Sequence, residues 1–440
     1  MLKLDNPGTA MPPALRATHI KVAHITTIDG SLRSLLLNQL RTLKASGYDV
    51  AGISSHGRDV ATLEAAGIRH IAVPMTRSVT PFDDLRALAR LCQICRQERF
   101  TIVHTHNPKP GLLGQVAARL TGVPIVVNTV HGYYFHDQMP TRVRRFYILL
   151  EKIAGRCSDA ILSQNQEDME TALKEGICPA SRIQHLGNGI DLSTFDPDRI
   201  EAHEIDRVRK TLGIDPNTAV VGFVGRLAAR RKGFLNFLAA CRQVAARFRS
   251  VCFVIVGESD SSKGDAVHPS VAETYGIAQQ CRFLGARPNA ELPVLYRLMN
   301  VLVLPSIFEG IPRAVMEAAS MGVPAVVTDV KGNREAVEHG RNGLLVPFGD
   351  VEALSDAIAQ LLADPDRARA LGHEGYRLAR ERFDERIVFQ KVMHEYSRLL
   401  QLKGLAVPAA SPWPKRPNGE DRLGTTPGRD GARRTPELSR

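Results

Sequence analysis

Short runs of apolar residues alternate with segments of helical periodicity along most of the chain. HIKVAHIT (19–26), TIVHTH (101–106) and PIVVNTVHG (124–132) are each followed by a stretch that favours a helix. Such alternation predicts a parallel sheet with helices on both faces. It pauses near residue 190 and restarts at AVVGFVG (219–225), which predicts a second sheet of the same kind.

These breaks divide the chain into six predicted parts. They are an N-terminal arm (1–16), a first Rossmann-like domain (17–190), a linker (191–217), a second Rossmann-like domain (218–383), a helix that packs back on the body (384–403) and a disordered, basic, proline-rich tail (404–440). The tail is expected to be disordered because it has almost no apolar periodicity with which to form a core.

Composition and charge narrow the class of protein. The chain has 440 residues, of which 44% are hydrophobic and 23% charged, and no apolar run is long enough to predict a membrane span. The net charge of +11 is compatible with nucleic acid, a membrane surface or phosphorylated ligands. Aromatic residues make up only 5% and no basic stripe is interleaved with them, so a nucleic-acid partner is not expected.

Two carboxylates lie at a predicted strand-to-helix junction. In FEGIPRAVMEAAS (308–320), Glu309 falls in the loop and Glu317 in the helix, with Gly310 between them. Glycine lets the backbone approach a ligand closely, and the free N–H groups at a helix start attract anions. Carboxylates themselves suit hydroxyl groups, such as those of a sugar, better than phosphate.

Cations that could bind a phosphate follow the first strand of the second domain. In GFVGRLAARRKGF (222–234), Arg226 lies just past the strand and Lys232 just before the next helix. Both are therefore expected at the ligand edge of the sheet. A solvated basic loop would show the same composition.

The combination of these motifs resembles retaining glycosyltransferases of family 4, which have the GT-B fold. The residues that carry the resemblance are GRL…RKG, FLGAR (283–287), the segment from LPSIFEGIP to GLLVP, and the earlier VHTHNPKPGLLG and TVHGYYF. It extends from about residue 19 to residue 400. The implied fold is α/β, with two doubly wound Rossmann-like domains that face each other across a cleft.

The resemblance also implies roles for individual residues. Arg226 and Lys232 would hold the donor diphosphate, Glu309 would lie near the donor sugar, and Glu317 would take the ribose hydroxyls. The remaining donor contacts implied are backbone contacts from Gly310 and Ile311, Arg287 beside the base, His131 near the reacting carbon, and Gly30 in the loop after the first strand.

Three details remain open at this stage. Asp29 precedes Gly30 where many members have a second glycine, and it could shape the acceptor site or cap the following helix. Two D-P-D triplets (196–198 and 364–366) resemble metal-binding aspartates, but turn or capping roles are favoured, so neither a metal nor a cofactor is expected. Of His104 and His106, we expect one to pack in the core.

The segment TRVRRFYILLEKIAGR (141–156) predicts an amphipathic helix. Its apolar residues are expected to pack on the sheet. Its basic face comprises Arg142, Arg145, Lys152 and Arg156, and could be merely solvated or could contact anionic lipid. Since similar enzymes act on lipid-linked acceptors, we expect contact with the inner face of the cytoplasmic membrane.

The predicted activity is transfer of a hexose or N-acetylhexosamine from a nucleotide sugar, UDP-linked, with retention and without a metal. The acceptor is expected to be a lipid-linked glycan in the synthesis of capsule, exopolysaccharide or lipopolysaccharide. The alternatives are a nucleotide-sugar isomerase of the 2-epimerase type with the same fold, and a non-catalytic relative that binds glycan or lipid.

Overall fold

The computed structural model describes residues 20–408, except 77, 107, 137–138 and 261–263. In this part of the chain, two parallel sheets form two domains, as the alternating pattern predicts. The predicted arm (1–16) and residues 409–440 of the predicted tail lie outside the described residues.

The first sheet has the strand order β3-β2-β1-β4-β5-β6-β7. Its strands are β1 (Lys21–Ile28), β2 (Asp49–Ser55), β3 (Arg69–Ala72), β4 (Ile102–His106), β5 (Ile125–Val130), β6 (Ala160–Ser163) and β7 (Ile183–His185). The helices of this domain are α1 (Asp29–Ser31), continued by a π-helical turn (Leu32–Leu36) into α2 (Leu37–Ala45), and then α3 (Val60–Ala65), α4 (Pro81–Glu98), α5 (Pro108–Leu120), α6 (Thr141–Cys157) and α7 (Gln166–Lys174). Strands β4 and β5 are buried along their whole length, because helices cover both faces.

The second sheet has the order β10-β9-β8-β11-β12-β13. Its strands are β8 (Ala219–Val224), β9 (Val251–Val256), β10 (Cys281–Phe283), β11 (Val301–Leu304), β12 (Ala325–Thr328) and β13 (Gly343–Val346). The helices from here to the end of the described chain are α8 (Ala202–Leu212), α9 (Phe234–Arg247), α10 (Val271–Thr274), α11 (Leu292–Leu298), α12 (Arg313–Ser320), α13 (Asn333–Ala336), α14 (Val351–Ala363), α15 (Pro365–Arg382) and α16 (Glu385–Leu402).

The predicted linker contains a helix that belongs to the second domain. Helix α8 packs Ile205, Val208 and Leu212 against the core of that domain. A capping box between Glu201 and Glu204 satisfies the backbone at the start of α8. Residues 191–217 therefore include a packed element, which their charged sequence conceals.

The chain returns to the first domain at its end. The backbone N–H of Ile190 donates to Phe383, and that of Glu385 donates to Ile190, so the two crossings between the domains lie side by side. Helix α16 then buries Val392, Tyr396, Leu399 and Leu400 in the core of the first domain. This core also contacts Leu405 and Val407, which places a few residues of the predicted tail against it.

Two further sequence predictions concern aspartates and membranes. Asp196 and Asp364 of the D-P-D triplets each accept a backbone N–H at the start of a helical turn, which confirms their capping roles. Among the described residues, no helix combines the length and apolarity needed to span a bilayer.

Candidate active site

The two domains touch where the loop after β5 meets the loop after β11. A β-carbon added to Gly310 would lie 2.5 Å from the backbone oxygen of His131 and 2.8 Å from Oε1 of Gln164. The side-chain amide of Asn165 donates a hydrogen bond to the backbone oxygen of Gly310, at 3.2 Å. Only glycine fits this contact, and it places the segment after Glu309 directly against His131.

Contacts between the two domains continue at the residues that follow Gly310 in the chain. Nδ2 of Asn188 donates a hydrogen bond to the backbone oxygen of Ile311, at 3.0 Å. Arg313, the first residue of α12, donates to the backbone oxygen of Gly189, at 3.4 Å. Asn188 and Gly189 of the first domain therefore contact the predicted donor loop, just before the chain crosses to the second domain at Ile190.

Lys232 and Glu309 form an ion pair inside the site. Nζ of Lys232 lies 2.6 Å from Oε1 of Glu309, and the hydroxyl of Ser306 donates to the same oxygen at 2.7 Å. Lys232 comes just before α9, while Glu309 follows β11 and is only 8% exposed. Strands β8 and β11 are neighbours and parallel, so their carboxyl ends bring the two charges together at the edge of the sheet where ligands bind in α/β folds.

Arg226 points to a carboxylate that the sequence analysis did not single out. Its Nη1 lies 3.4 Å from Oδ1 of Asp265, whose other oxygen accepts the backbone N–H of Arg231, at 3.3 Å. Arg226 is thus oriented at the end of β8 without contacting Glu309. Asp265 carries no sequence signal, because it lies in an irregular loop far from any motif.

An aromatic cluster between the domains was also not predicted from the sequence. The guanidinium carbon of Arg231 lies 4.9 Å from the ring centroid of Phe308, a cation–π contact. The rings of His136 and Tyr134, from the first domain, lie 5.5 Å and 6.3 Å from the same ring. The aromatic letters in HGYYFH and IFEG are the signal that could have indicated this contact.

Glu317 is buried on α12 with two partners. The hydroxyl of Tyr296 donates to Oε2 at 2.8 Å, and Nε of Arg313 lies 3.6 Å from Oε1. Burial raises the pKa of Glu317, and the charge of Arg313 opposes that rise. Its carboxylate is therefore held in one orientation, which suits an acceptor of hydroxyl hydrogen bonds. Arg287, by contrast, is exposed and pairs with Glu291 at 3.4 Å, apart from these residues.

His131 lies at the carboxyl end of β5 and contacts another histidine. Its Nε2 is 3.1 Å from Nδ1 of His106. Burial lowers the pKa of His131 to about 4, so the ring is neutral at neutral pH. The expectation that only one of His104 and His106 packs in the core is wrong: both are fully buried, because residues two apart share one face of a strand.

Gly30 lies in α1, the short helical segment directly after β1, rather than in a loop as expected, and a buried carboxylate lies beside it. Asp29 does not act as an N-cap, since it is itself the first residue of α1. Its Oδ1 accepts the backbone N–H of Gly30 at 2.9 Å, and its Oδ2 accepts that of Asp59 at 2.7 Å. Asp29 therefore holds the loop before α3 against the start of α1, which contains Gly30.

Helix α6 has an apolar stripe that faces outward. Of the predicted apolar residues Val143, Phe146, Tyr147, Leu150 and Ile153, Tyr147 packs against a core cluster of the first domain. Val143, Phe146 and Ile153 are 39–47% exposed, so for these three the expectation of packing on the sheet is wrong; Leu149 beside them is 52% exposed. Periodicity shows that a stripe exists but cannot show what covers it. Arg142, Arg145 and Arg156 are exposed beside it, and Lys152 is partly exposed.

Two family models match the chain, one for each domain. The first, "Glycosyl transferase 4-like domain", matches residues 32–189. The second, "Glycosyl transferases group 1", matches residues 204–378. The first match ends, and the second begins, around the crossing at Ile190.

Known proteins resemble the chain over most of its length. It is 29% identical to the UDP-Gal:α-D-GlcNAc-diphosphoundecaprenol α-1,3-galactosyltransferase of Escherichia coli, covering 80% of this chain and 90% of the relative. It is 27% identical to the capsular polysaccharide biosynthesis glycosyltransferase CapM of Staphylococcus aureus, covering 87% and 98%. The crystal structure of Anabaena Alr3699/HepE in complex with UDP-glucose superposes with a TM-score of 0.73 at 20% identity, covering 86% and 100%.

The fold, the order of the motifs and these similarities agree. Two parallel-sheet domains meet at a cleft lined by Lys232, Glu309 and His131, with Glu317 on α12, the helix that follows the loop of Glu309. The chain belongs to the glycosyltransferases of the GT-B fold, with a glycosyl transferase 4-like first domain and a group 1 second domain.

Proposed function

We propose that the chain transfers a hexose or an N-acetylhexosamine from a UDP-linked sugar to a lipid-linked glycan, with retention of configuration. The product would be a precursor of a cell-surface polysaccharide. The single observation that carries the proposal is the ion pair between Lys232 and Glu309, which lies against the loop of His131. Retention rests on the resemblance to family 4.

The chemistry assigned to these residues follows from where charge develops. Departure of UDP leaves negative charge on the diphosphate and positive charge on the anomeric carbon. Lys232 and Arg226 are fixed in advance on the side of the second domain, where they would stabilise the leaving group. Since cationic side chains fill this role, the proposal includes no metal ion.

The two glutamates and the histidine would bind the remaining parts of the donor, which are the sugar and the ribose. Glu309, which is paired with Lys232, would lie against the sugar, where positive charge grows. Glu317, which Tyr296 and Arg313 orient, would accept the ribose hydroxyls. His131 is neutral, so it would contribute a hydrogen bond to the sugar rather than a charge.

The acceptor and the place of action are proposed from the relatives and from α6. The Escherichia coli relative is named for an undecaprenol-linked acceptor, and the Staphylococcus aureus relative for capsule synthesis. Helix α6 presents exposed apolar side chains beside exposed arginines, a composition suited to an anionic bilayer surface. We therefore place the enzyme at the inner face of the cytoplasmic membrane, bound peripherally.

A turnover assay tests the proposal. A panel of nucleotide sugars would be incubated with the full chain, with and without polyprenyl-diphosphate-linked N-acetylglucosamine, and products separated by mass. We expect sugar transfer that needs the lipid acceptor and a product with the anomeric configuration of the donor. Conversion of the donor without an acceptor would indicate a 2-epimerase, and binding without conversion would indicate a non-catalytic relative; either result would refute the proposal.

A further inference from the structure

A continuous chain of buried polar side chains leads away from His131 into the core of the first domain. Its members, in order, are His131, His106, His24, Tyr396, His104 and Thr129. Apart from His131, which keeps some exposure in the cleft, every member is at most 3% exposed. Buried polar groups of this kind are costly unless each has a partner.

The hydrogen bonds of the chain use each ring nitrogen once. His106 bonds His131 through Nδ1 at 3.1 Å and His24 through Nε2 at 2.9 Å. The hydroxyl of Tyr396 lies 3.3 Å from Nε2 of His24 and 2.7 Å from Nδ1 of His104. A neutral histidine has one donor and one acceptor nitrogen, so the bonds from His131 through His106 and His24 to the hydroxyl of Tyr396 all run in one direction.

The three inner histidines are close enough to be considered as metal ligands, but their geometry favours hydrogen bonding. The rings of His104 and His106 stack at 4.4 Å, with an angle of 22° between their planes. Stacked rings direct their nitrogens side by side rather than toward a common point. A metal bound to His24, His104 and His106 would also have to break the bond between His24 and His106.

Burial keeps the chain uncharged. It lowers the pKa of His24 to about 3, and lowers those of His104 and His106 well below their usual value. A neutral histidine is defined by its tautomer, and the partner of one nitrogen decides which one carries the proton. The tautomer of His131 is therefore set by His106, and that of His106 by His24.

The two possible directions of the chain give different tautomers of His131. Because Nε2 of His131 faces Nδ1 of His106, a proton donated by His106 leaves His131 protonated on Nδ1, and the opposite direction leaves it protonated on Nε2. The direction of the bonds between His106, His24 and Tyr396 therefore decides which tautomer His131 adopts.

We propose that Tyr396, His24 and His106 are positioning residues for the reaction, because together they set the tautomer of His131. This inference rests on the proposed function only for the role of His131 toward the sugar. Tyr396 lies on α16, the helix that follows the second crossing between the domains. The state of a residue in the cleft thus depends on the helix that docks last along the chain.

The hydroxyl of Tyr396 joins the two halves of the hydrogen-bonded chain, so its removal tests whether the tautomers are coupled. In Tyr396→Phe, Nε2 of His24 loses its partner, so the balance between the two directions of the bonds to His106 and His131 changes. Tyr48→Phe is the matched control. The ring of Tyr48 packs edge-on against Tyr396 at 5.8 Å, but its hydroxyl bonds Ser397 and is outside the chain.

The test combines nitrogen-15 NMR of the histidine-labelled full protein, without substrates, with steady-state kinetics. We expect the ratio of the Nδ1- and Nε2-protonated tautomers of His131 to be the same in the wild type and in Tyr48→Phe, and to differ in Tyr396→Phe. We expect Tyr396→Phe to lower kcat about tenfold, the effect of one lost hydrogen bond, and to leave the donor KM unchanged. A purely structural role of the hydroxyl would not move the tautomer.

Two results would overturn the proposal. They are the same tautomer ratio of His131 in Tyr396→Phe as in the wild type, or stoichiometric zinc bound by the three inner histidines. If Tyr396→Phe does not fold, Thr129→Val removes the terminal hydroxyl of the chain, and an unchanged His104 tautomer would then refute the coupling. Absence of turnover by the wild type would refute the proposed function alone, since the NMR result does not require activity.

Discussion

Nζ of Lys232 lies 2.6 Å from Oε1 of Glu309, although the two residues are 77 positions apart in the chain. The pair joins the group assigned to the leaving diphosphate with the group assigned to the sugar. A bound donor would therefore meet a lysine whose position is already set by a buried carboxylate. This relationship leads to the first two predictions.

Lys232→Ala should lower kcat/KM for the donor by about a hundredfold or more, the usual effect of removing one preorganised charge from a transition state. Steady-state kinetics with varied donor would measure the loss. Arg247→Ala is the matched control, because Arg247 lies on α9 close along the chain but pairs with Asp356 on the surface. Equal activity of the two variants would contradict the assignment of Lys232.

Glu309→Gln and Glu317→Gln should change different kinetic constants. Glu309 would act where charge develops, so its variant should mainly lower kcat, whereas Glu317 would bind the ribose equally before and during reaction, so its variant should mainly raise the donor KM. A hydrogen bond to a charged group is worth roughly 1.5–3 kcal/mol, which predicts effects of about tenfold to a hundredfold. Wild-type kinetics in both variants would show that the donor site is elsewhere.

Activity should survive removal of divalent metals. Arg226 and Lys232 supply positive charge at the position where the leaving diphosphate is proposed to lie, and each is oriented by a carboxylate. Transfer rates would be measured after dialysis against EDTA, with and without added magnesium or manganese. Complete loss in EDTA, with recovery on adding the metal, would require a metal ion in the mechanism.

Replacement of Arg142, Arg145 and Arg156 by Gln should weaken binding to anionic liposomes. Each basic residue near such a surface contributes about 1 kcal/mol, so three predict a loss of roughly a hundredfold. The control with the same charge change is Arg242, Arg247 and Arg249 to Gln, which are exposed in the second domain. Cosedimentation that is equal for both triple variants would exclude α6 as the membrane-binding surface.

Glu385→Gln should stabilise the protein at pH 8 but not at pH 5. Burial raises the pKa of Glu385 to about 7, so the folded state binds this proton more tightly than the unfolded state. Wild-type stability therefore falls as pH rises from about 4.5 to 7, and the neutral amide avoids that loss. Thermal unfolding should show a gain of a few degrees, absent in the exposed control Glu381→Gln. An equal shift at both pH values would exclude titration of Glu385 as the cause.

Local patterns predicted the two sheets and most of the cleft residues, because periodicity and strand ends determine which side chains reach the carboxyl edge of a sheet. Lys232 and Glu309 could be placed this way. The partners Asp265 and Tyr396 could not, since contacts between residues such as Tyr396 and His24, 372 positions apart, depend on tertiary packing. The exposure of apolar side chains on α6 could not be predicted for the same reason, because periodicity does not show which surface an apolar face contacts.

Helix α16 has a consequence for biosynthesis. Residues 20–190 are synthesised long before α16. The core of the first domain nevertheless includes four residues of that helix, Val392, Tyr396, Leu399 and Leu400. The nascent first domain must therefore wait with part of its apolar surface uncovered, although domains generally fold as units during synthesis. The second domain has no such dependence on α16 for its main core, so it is the domain expected to fold first as an independent fragment.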